Sequence, residues 1–422
     1  MATTELMAAV LTRDNLRSAW KRVKANKGAP GIDGIAIEDL PAYLRAHWED
    51  IRYQLETGRY RPQAVRRVEI PKDDGGKRLL GIPTVMDRVI QQAIAQVLTP
   101  ILDPGFSESS FGFRPGRNAH QAIKQVQGHV KAGYAIAVDI DLAKFFDTVD
   151  HDVLMSIIGR TIRDKALLAL IGRYLRAGVL VGEHIEPSDI GTPQGGPLSP
   201  LLANILLNEL DHELERRGHR FARYADDMVI LVKSQRAGDR VMQSLTRYLE
   251  GRLKLKLNPA KSKVAKMSDC GFLGFTIIRG KIRWLDKKLA AFKHRVKELT
   301  GRSWGVSMAT RLRKLGQYVR GWLGYFGISE YYRPIPELDE WIRRRIRMGY
   351  WKQWRWPRTK IKHLLALGVS LKTAIQHGVS SKSYWHMART PAMQQALNND
   401  WLLAQGVPSI KALWCKAQGY SS

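Results

Sequence analysis

Two adjacent aspartates, Asp226 and Asp227, lie between two short apolar runs, and this pattern limits what the chain can fold into. The alternating run Phe221 to Arg223 precedes them, and the apolar run Met228 to Val232 follows. Two such runs around a short polar break predict a β-hairpin with the acids at its tip. Because adjacent carboxylates repel each other, we expect a cation between them and a substrate, and Mg²⁺ prefers oxygen ligands of this kind. A solvated acidic turn is the alternative.

A second acid-bearing strand is predicted over 135–141. Apolar residues alternate there with polar ones, so Asp139 and Asp141 lie on the same strand face. The alternation does not rank one of them above the other. Together with the hairpin tip, such a strand predicts three acids around two Mg²⁺ ions, of which one activates an attacking hydroxyl and the other stabilises a leaving pyrophosphate. This is the chemistry of phosphoryl transfer.

The charge balance points to a polyanionic partner. The 422 residues include 68 Lys and Arg against 39 Asp and Glu, a net charge of +29. Nucleic acid is the commonest partner of so basic a chain. We expect no membrane partner, because no apolar run is long enough to span a bilayer, and the amino terminus does not resemble a signal peptide. With only Cys270 and Cys415, a zinc site or disulfide framework is not expected.

The order of predicted elements indicates an α+β fold with an antiparallel sheet. We predict helices within 1–60, a hairpin over 65–82, and helices over 84–103 and 118–131. Strand patterns fade after about residue 285. Residues 311–360 hold 13 Lys and Arg against 4 acids, with five of the 12 tryptophans. This composition suits a surface that grips nucleic acid; a helical bundle with a tryptophan core is the alternative.

Several segments occur in the order of the reverse transcriptase motifs, and the chain resembles the group II intron-encoded class, the maturase reverse transcriptases. The segments are Ile70 to Pro83, Phe111 to Gly116, Asp141 to Asp147, Gly191 to Pro200, Tyr224 to Asp227, Leu257 to Lys261, Phe272 to Phe275, Arg311 to Phe326 and Leu338 to Arg345. The resemblance implies a right-hand polymerase. Its parts are an amino-terminal extension (1–60), fingers and palm (61–284), an α-helical thumb (285–364) and a small α-helical carboxy-terminal DNA-binding segment (365–422).

The resemblance also implies the catalytic residues. It selects Asp141 over Asp139 and adds Lys261 as the acid that protonates pyrophosphate, with Lys263 as a neighbouring alternative. The catalytic candidates are therefore Asp141, Asp226, Asp227 and Lys261. The candidate ligands of two Mg²⁺ ions, which Mn²⁺ can replace, are Asp141, Asp226, Asp227 and Ile140.

Four further residues are implied to bind the nucleotide. Lys72 and Arg78 match the pair that binds the triphosphate, and Gln194 matches a glutamine near the nucleotide. Phe146 matches the aromatic residue under the incoming sugar, where a flat ring excludes a 2′-hydroxyl; a core phenylalanine is the alternative, and it fits Phe145 better.

Candidate nucleic-acid contacts are Arg114, Arg343, Arg344 and Arg345. For Arg114, a structural ion pair is an equal alternative.

The implied function is RNA-directed DNA polymerase of a group II intron, which also binds intron RNA in splicing and retrohoming. The implied partners are an RNA template, a DNA or RNA primer, dNTPs, group II intron RNA and target DNA, in the bacterial cytoplasm near the nucleoid. A Cys- and His-rich nuclease domain is not expected, as in class IIC members. A free-standing enzyme of host DNA repair and a splicing cofactor with little polymerase activity are alternatives. The loop Asn26 to Gly31 is predicted to cover the template.

Overall fold

The computed structural model of the protein describes residues 5–71, 77–181, 184–186, 191 and 195–420. The chain divides into two units, Met1–Lys266 and Met267–Ser422. Each unit has its own hydrophobic core. Across the described ranges, no helix combines the length and apolar composition that crossing a membrane requires.

The first unit is built from helices around two four-stranded sheets. Its helices are α1 (Leu6–Val10), α2 (Arg13–Ala25), α3 (Leu40–Glu56), α4 (Val85–Leu102), α5 (Ala119–Lys131), α6 (Phe145–Thr148), α7 (His151–Thr161), α8 (Lys165–Leu175), α9 (Ser199–Arg216) and α10 (Gln235–Tyr248). Its strands are β1 (Val65–Pro71), β2 (Lys77–Ile82), β3 (Ile136–Ile140), β4 (Val179–Val181), β5 (His184–Glu186), β6 (Arg220–Tyr224), β7 (Asp227–Val232) and β8 (Lys263–Lys266).

One sheet carries the predicted acids. Its strand order is β6-β7-β3-β8, and every neighbouring pair is antiparallel. Apolar side chains of β3 and β7 such as Val138 and Ile230 are fully buried in the core of the unit. The hairpin around Asp226 and Asp227 and the strand over 135–141 are both confirmed, as is the α+β class.

The other sheet has the order β2-β1-β4-β5. β1 and β2 form the predicted antiparallel hairpin, and its turn lies outside the described residues. β1 also pairs in parallel with β4 over Val65 and Arg66, a contact that the sequence did not indicate. Helix α4 begins at Val85, three residues after β2 ends. Thr84 caps its amino terminus, since the Thr84 side chain accepts a hydrogen bond from the backbone N–H of Asp87. The prediction of helices over 84–103 and 118–131 is confirmed.

The second unit begins with a hairpin of β9 (Phe275–Ile278) and β10 (Lys281–Trp284) and is otherwise helical where it is described. Its helices are α11 (Asp286–Leu299), α12 (Met308–Phe326), α13 (Pro334–Gln353), α14 (Pro357–Ala366), α15 (Leu371–Gly378), α16 (Tyr384–Met387), α17 (Pro391–Ala396), α18 (Asn399–Ala404) and α19 (Ile410–Gln418). Trp351 and Trp354 are buried in its core, whereas the side chain of Trp356 is 64% exposed. The tryptophan core given as an alternative is therefore present.

Candidate active site

The tip of the β6–β7 hairpin is a two-residue turn. Tyr224 pairs with Asp227, so Ala225 and Asp226 are the two residues between the strands. Ala225 has a φ of 57°, a left-handed conformation that costs free energy in any residue other than glycine. Asp226 and Asp227 are both half-buried. The turn thus places two carboxylates at the end of the sheet, on a backbone that its surroundings must stabilise.

Strand pairing brings Asp141 to the same end of the sheet. The last pair between β3 and β7 is Ile140 with Met228. Asp141 is the residue that follows β3, and Asp227 is the next residue of β7 towards the turn, so both lie at the same end of the sheet. Asp141 is half-buried. Continuing the alternation of β3 by one residue predicts that its side chain projects from the face of Asp139.

Asp139 shares that face, two residues further into β3, and it lies opposite Lys263 of β8. Its pKa is raised to about 6, chiefly by burial; the positive charge of Lys263 opposes the rise and the negative charge of Asp141 adds to it. Burial favours the neutral form of a carboxyl group. Asp139 therefore lies inside the sheet beside a lysine, whereas Asp141 lies at the strand end.

The loop that carries Lys261 is attached to the backbone of Asp141. The N–H of Asn258 donates to the Asp141 carbonyl over 2.8 Å, and the Ser262 hydroxyl bonds both the N–H and the carbonyl of Asp141, over 3.1 and 3.2 Å. The side chain of Lys261 is exposed on this loop. Lys261 thus lies on the loop next to the first acid, while Lys263 faces Asp139.

Phe145 and Phe146 differ in accessibility. The ring of Phe145 is 2% exposed in the core, and Phe146 packs against it edge to face, with 5.1 Å between ring centroids, while staying half-buried. Gly191 lies against this segment, since a Cβ atom at position 191 would come within 2.9 Å of the Phe146 carbonyl oxygen. The glycine-rich segment that starts at Gly191 therefore begins beside Phe146.

The end of the same segment lies against β2 of the β1–β2 hairpin and against α4. A Cβ atom at Gly195 would lie 2.5 Å from the Gly81 carbonyl oxygen on β2, and one at Gly196 would lie 2.2 Å from the Gln91 side-chain oxygen. Lys72 and Gln194 lie outside the described residues. Arg78 is described by its backbone, which pairs with Ile70 in the hairpin.

Arg114 makes the ion pair that was given as the alternative to a template contact. Its Nε donates to a carboxylate oxygen of Asp103 over 2.7 Å. Its Nη1 donates to the carbonyl oxygens of Ser107 and Ser110 over 2.6 and 2.9 Å. Arg114 is 7% exposed. It therefore holds the loop that leads into Phe111 and Gly112.

The three arginines predicted to contact nucleic acid have partners inside the second unit. Arg343 pairs with Asp339 over 3.0 Å. Arg344 donates to the Trp385 carbonyl over 2.9 Å and lies 3.8 Å from the centre of the Trp385 ring. Arg345 donates to the Thr300 hydroxyl over 2.5 Å. Each guanidinium group thus connects α13 to itself or to a neighbouring segment, and a contact with nucleic acid stays a prediction.

Sequence reasoning missed a set of buried polar residues beneath the turn. Arg223 and Asp211 form an ion pair with no exposed side-chain surface, and Asn204 is 1% exposed beside them. Asp211 lies on α9 between the apolar residues Leu210 and Leu214. An acid on the apolar face of a helix needs a buried partner, and this was the signal that could have revealed the pair.

In the described part of the chain, no three carboxylate, imidazole or thiol groups converge closely enough to form a metal cage on their own. The arrangement is an open one: acids share one end of a sheet, with a lysine loop and an aromatic ring on adjacent segments. Carboxylates at an open position fit a hard divalent cation that completes its coordination with phosphate oxygens.

Comparison with known proteins gives two matching families. Residues 70–277 match the reverse transcriptase (RNA-dependent DNA polymerase) family, and residues 289–368 match the maturase-specific domain of group II introns. The first range contains every candidate catalytic residue, and the second contains Arg343, Arg344 and Arg345.

Individual relatives agree with these matches. Protein YkfC of Escherichia coli is 33% identical over 319 residues, which cover 65% of this chain and 83% of that protein. The group II intron-encoded protein LtrA of Lactococcus lactis subsp. cremoris is 30% identical over 340 residues, which cover 65% of this chain and 56% of LtrA. The resemblance found in the sequence is thereby confirmed. The chain belongs to the reverse transcriptases that carry a group II intron maturase-specific domain.

Proposed function

We propose that the chain copies RNA into DNA at the end of the β6-β7-β3-β8 sheet, with Asp141, Asp226 and Asp227 as its catalytic acids. One observation carries this proposal: the pairing of β3 with β7 ends at Ile140 and Met228, so Asp141 and the turn that bears the other two acids follow at the same end of the sheet. Three carboxylates from two separate stretches of the chain then share one end of a sheet. A reverse transcriptase domain implies a polymerase that depends on divalent metal ions.

The residues at this end fit two Mg²⁺ ions, with Mn²⁺ as a substitute. Asp141, Asp226 and Asp227 would supply carboxylate oxygens, and Ile140 would supply its backbone carbonyl. Such ions lower the pKa of the primer hydroxyl and stabilise the leaving pyrophosphate. The hydrogen bonds from Asn258 and Ser262 hold the backbone of Asp141, and so they fix the point from which its carboxylate projects.

Nucleotide selection is assigned to the segments around the acids. Lys72 and Arg78 would bind the triphosphate, because two cations offset the charge that builds on its phosphates. Gln194 would lie near the nucleotide, as the resemblance implies. Its neighbours Gly195 and Gly196 approach β2 and α4 closely. Phe146 would lie under the sugar, and its half-buried ring supports this role.

Lys261 is our candidate for the acid that protonates pyrophosphate, with Lys263 as the neighbouring alternative. The loop of Lys261 is bonded to the backbone of Asp141, which supports a place beside the catalytic acids. Lys263 lies opposite Asp139 and lowers the pKa of that carboxyl group. Both side chains are exposed.

We assign the biological role to a group II intron: binding of intron RNA, help in splicing, and retrohoming into target DNA. The match of residues 289–368 to the maturase-specific domain supports this assignment. The boundaries 1–60, 61–284, 285–364 and 365–422 remain our proposed division into extension, fingers and palm, thumb and DNA-binding segment. Arg343, Arg344 and Arg345 remain proposed contacts with nucleic acid; Arg344 and Arg345 also connect α13 to neighbouring segments.

Primer extension on an RNA template tests the catalytic assignment. We expect Mg²⁺-dependent DNA synthesis by the parent protein, and loss of it in Asp141→Ala and in the double variant Asp226→Ala/Asp227→Ala. Asp239→Ala is the matched control, since Asp239 is an exposed acid on α10 of the same unit. Far-UV circular dichroism establishes that each variant is folded. Synthesis at the parental rate by the double variant would exclude this site.

A further inference from the structure

The arginine that precedes the catalytic turn is completely buried. Arg223 and Asp211 have no exposed side-chain surface. The Arg223 Nε donates to both carboxylate oxygens of Asp211, over 2.8 and 3.0 Å, and Nη2 donates to Oδ2 over 2.5 Å. The remaining guanidinium nitrogen of Arg223, Nη1, does not take part in this ion pair and bonds other partners.

This nitrogen reaches the turn itself. The Arg223 Nη1 donates to the backbone carbonyl of Ala225 over 2.9 Å and to the Asn204 side-chain oxygen, also over 2.9 Å. The Ala225 carbonyl belongs to the peptide that joins Ala225 to Asp226. A hydrogen bond to this carbonyl therefore fixes the peptide plane from which the Asp226 side chain projects.

Asn204 extends the contact to a second segment. Its Nδ2 donates to the Gly112 carbonyl over 2.8 Å, and Gly112 packs directly on the turn. A Cβ atom at position 112 would lie 2.3 Å from the Ala225 nitrogen. Backbone bonds run beside it, since the N–H of Phe111 donates to the Arg223 carbonyl over 2.8 Å. The turn is therefore held by two contacts: a hydrogen bond from Arg223 to its backbone, and close packing of Gly112 against its backbone.

We propose that Arg223, Asp211 and Asn204 are positioning residues, which hold the backbone of the turn so that Asp226 and Asp227 can bind metal in the reactive arrangement. The proposal rests on the proposed function of those two acids. Stability alone does not account for the ion pair, because well-packed apolar residues can replace a buried ion pair with little loss or a gain in stability. The contact that apolar residues could not replace is the one to the Ala225 carbonyl.

The paired variant Arg223→Met/Asp211→Val tests the proposal. It leaves no buried charge without a partner and is expected to fold, while the Ala225 carbonyl loses its donor. We expect kcat for single-nucleotide incorporation to fall by roughly 10- to 100-fold, since a small misplacement of catalytic groups has effects of this size. With Mg²⁺ at a saturating concentration, KM for the dNTP should change by less than about threefold, because the two substitutions remove none of the proposed nucleotide contacts.

A readout independent of activity is Mn²⁺ binding, measured by electron paramagnetic resonance without nucleotide. The paired variant should bind Mn²⁺ more weakly than the parent. Arg223→Lys should be intermediate in both measurements, because lysine keeps the charge on Asp211 but lacks the planar fork that serves three acceptors. Arg347→Met is the control, since it removes a buried guanidinium whose Nε donates to the Leu397 carbonyl in the other unit.

Glycine variants test the packing of Gly112 against the turn. Gly112→Ala should lower kcat in the same way as the paired variant. Gly105→Ala should not, because an added Cβ atom meets nothing within 4 Å there. A folded paired variant with parental kcat and parental Mn²⁺ binding would overturn the proposal. Failure of the proposed function is a different result: Asp226→Ala/Asp227→Ala would then copy RNA as well as the parent.

Discussion

At the scale of single residues, the two aspartates of β3 show how location separates chemically identical groups. Asp139 and Asp141 share a strand face, but Asp139 lies opposite Lys263 inside the sheet and Asp141 lies one residue beyond the last β3–β7 pair. Alternation in the sequence predicted the shared face. It could not rank the two acids, because the difference comes from β8, whose pairing with β3 joins residues more than a hundred positions apart.

The raised pKa of Asp139 predicts a pH effect on stability. An unfolded chain has an ordinary aspartate pKa of about 3.9, whereas burial raises the pKa in the folded protein to about 6. Between these values the folded state binds more protons, so the contribution of Asp139 to the free energy of unfolding falls as pH rises through the window. The fall ends above pH 6, where Asp139 is ionised in both states.

This effect can be measured by denaturant unfolding between pH 4 and pH 7.5. The parent and Asp139→Asn are compared with metal ions chelated. The asparagine variant cannot ionise, so it should gain stability relative to the parent as pH rises towards 7.5. Taking the difference between the two proteins cancels the titration of other groups. A difference that stays constant over the whole range would contradict the assigned pKa.

At the scale of elements, the loop after α2 is fixed to the start of α4. The Arg88 Nη2 donates to the Ala29 carbonyl over 2.6 Å. A Cβ atom at Gly31 would lie 2.6 Å from the Thr84 Cα atom. The loop therefore rests on the segment that joins β2 to α4. That it covers the template stays a prediction.

Deletion of residues 24–32 should shorten cDNA products and weaken template switching. Gly31→Val should have the same direction of effect with a smaller change to the chain, because the valine side chain cannot fit against the Thr84 backbone. Gly128→Ala is the control, since its added Cβ atom meets nothing within 4 Å. Product length on a long RNA template is the measurement. Parental product lengths in both loop variants would show that the loop does not cover the template.

Local elements were predictable, whereas their long-range partners were not. The β1–β2 and β6–β7 hairpins follow from alternation and turn residues in the sequence, which act over a few positions. The pairing of β1 with β4 and the contact between Gly112 and Ala225 depend on chain segments far apart in sequence. A single glycine in a loop does not reveal which backbone it will meet.

At the scale of the whole molecule, the charge of +29 is spread over two units with separate cores. The basic composition of 311–360 predicted a nucleic-acid surface. In the structure, part of this charge serves the fold, because Arg343, Arg344 and Arg345 have partners within the second unit. Composition counts charges, but burial and pairing decide which of them a polyanion can reach.

Trp356 is the aromatic residue of this region that best fits contact with a nucleic-acid base. Its side chain is 64% exposed, and the Arg355 guanidinium lies 5.2 Å from the ring centre. Trp356→Ala should weaken RNA binding by about 1–3 kcal/mol, the range for one stacked base, without loss of thermal stability. Arg355→Gln should reduce the slope of log K against log salt by about 0.7, the value for one phosphate contact with a single strand.

Fluorescence anisotropy over a salt series measures both variants. Leu403→Ala is the control, because Leu403 is an exposed apolar residue of the same unit, with 60% exposure, and aliphatic side chains do not stack on bases. Equal affinities of the parent and Trp356→Ala would remove Trp356 from the binding surface.

The close contact between Gly112 and Ala225 also limits which residues the sequence can accept at these two positions. Ala225 is 7% exposed, and Gly112, which has no side chain, cannot become smaller. A bulkier residue at position 225 would therefore require the loop at Gly112 to move away. That loop is held by hydrogen bonds to Asn204 and to the backbone of β6. We therefore expect descendants of this chain to keep both small residues, or to replace them together with the loop that joins them.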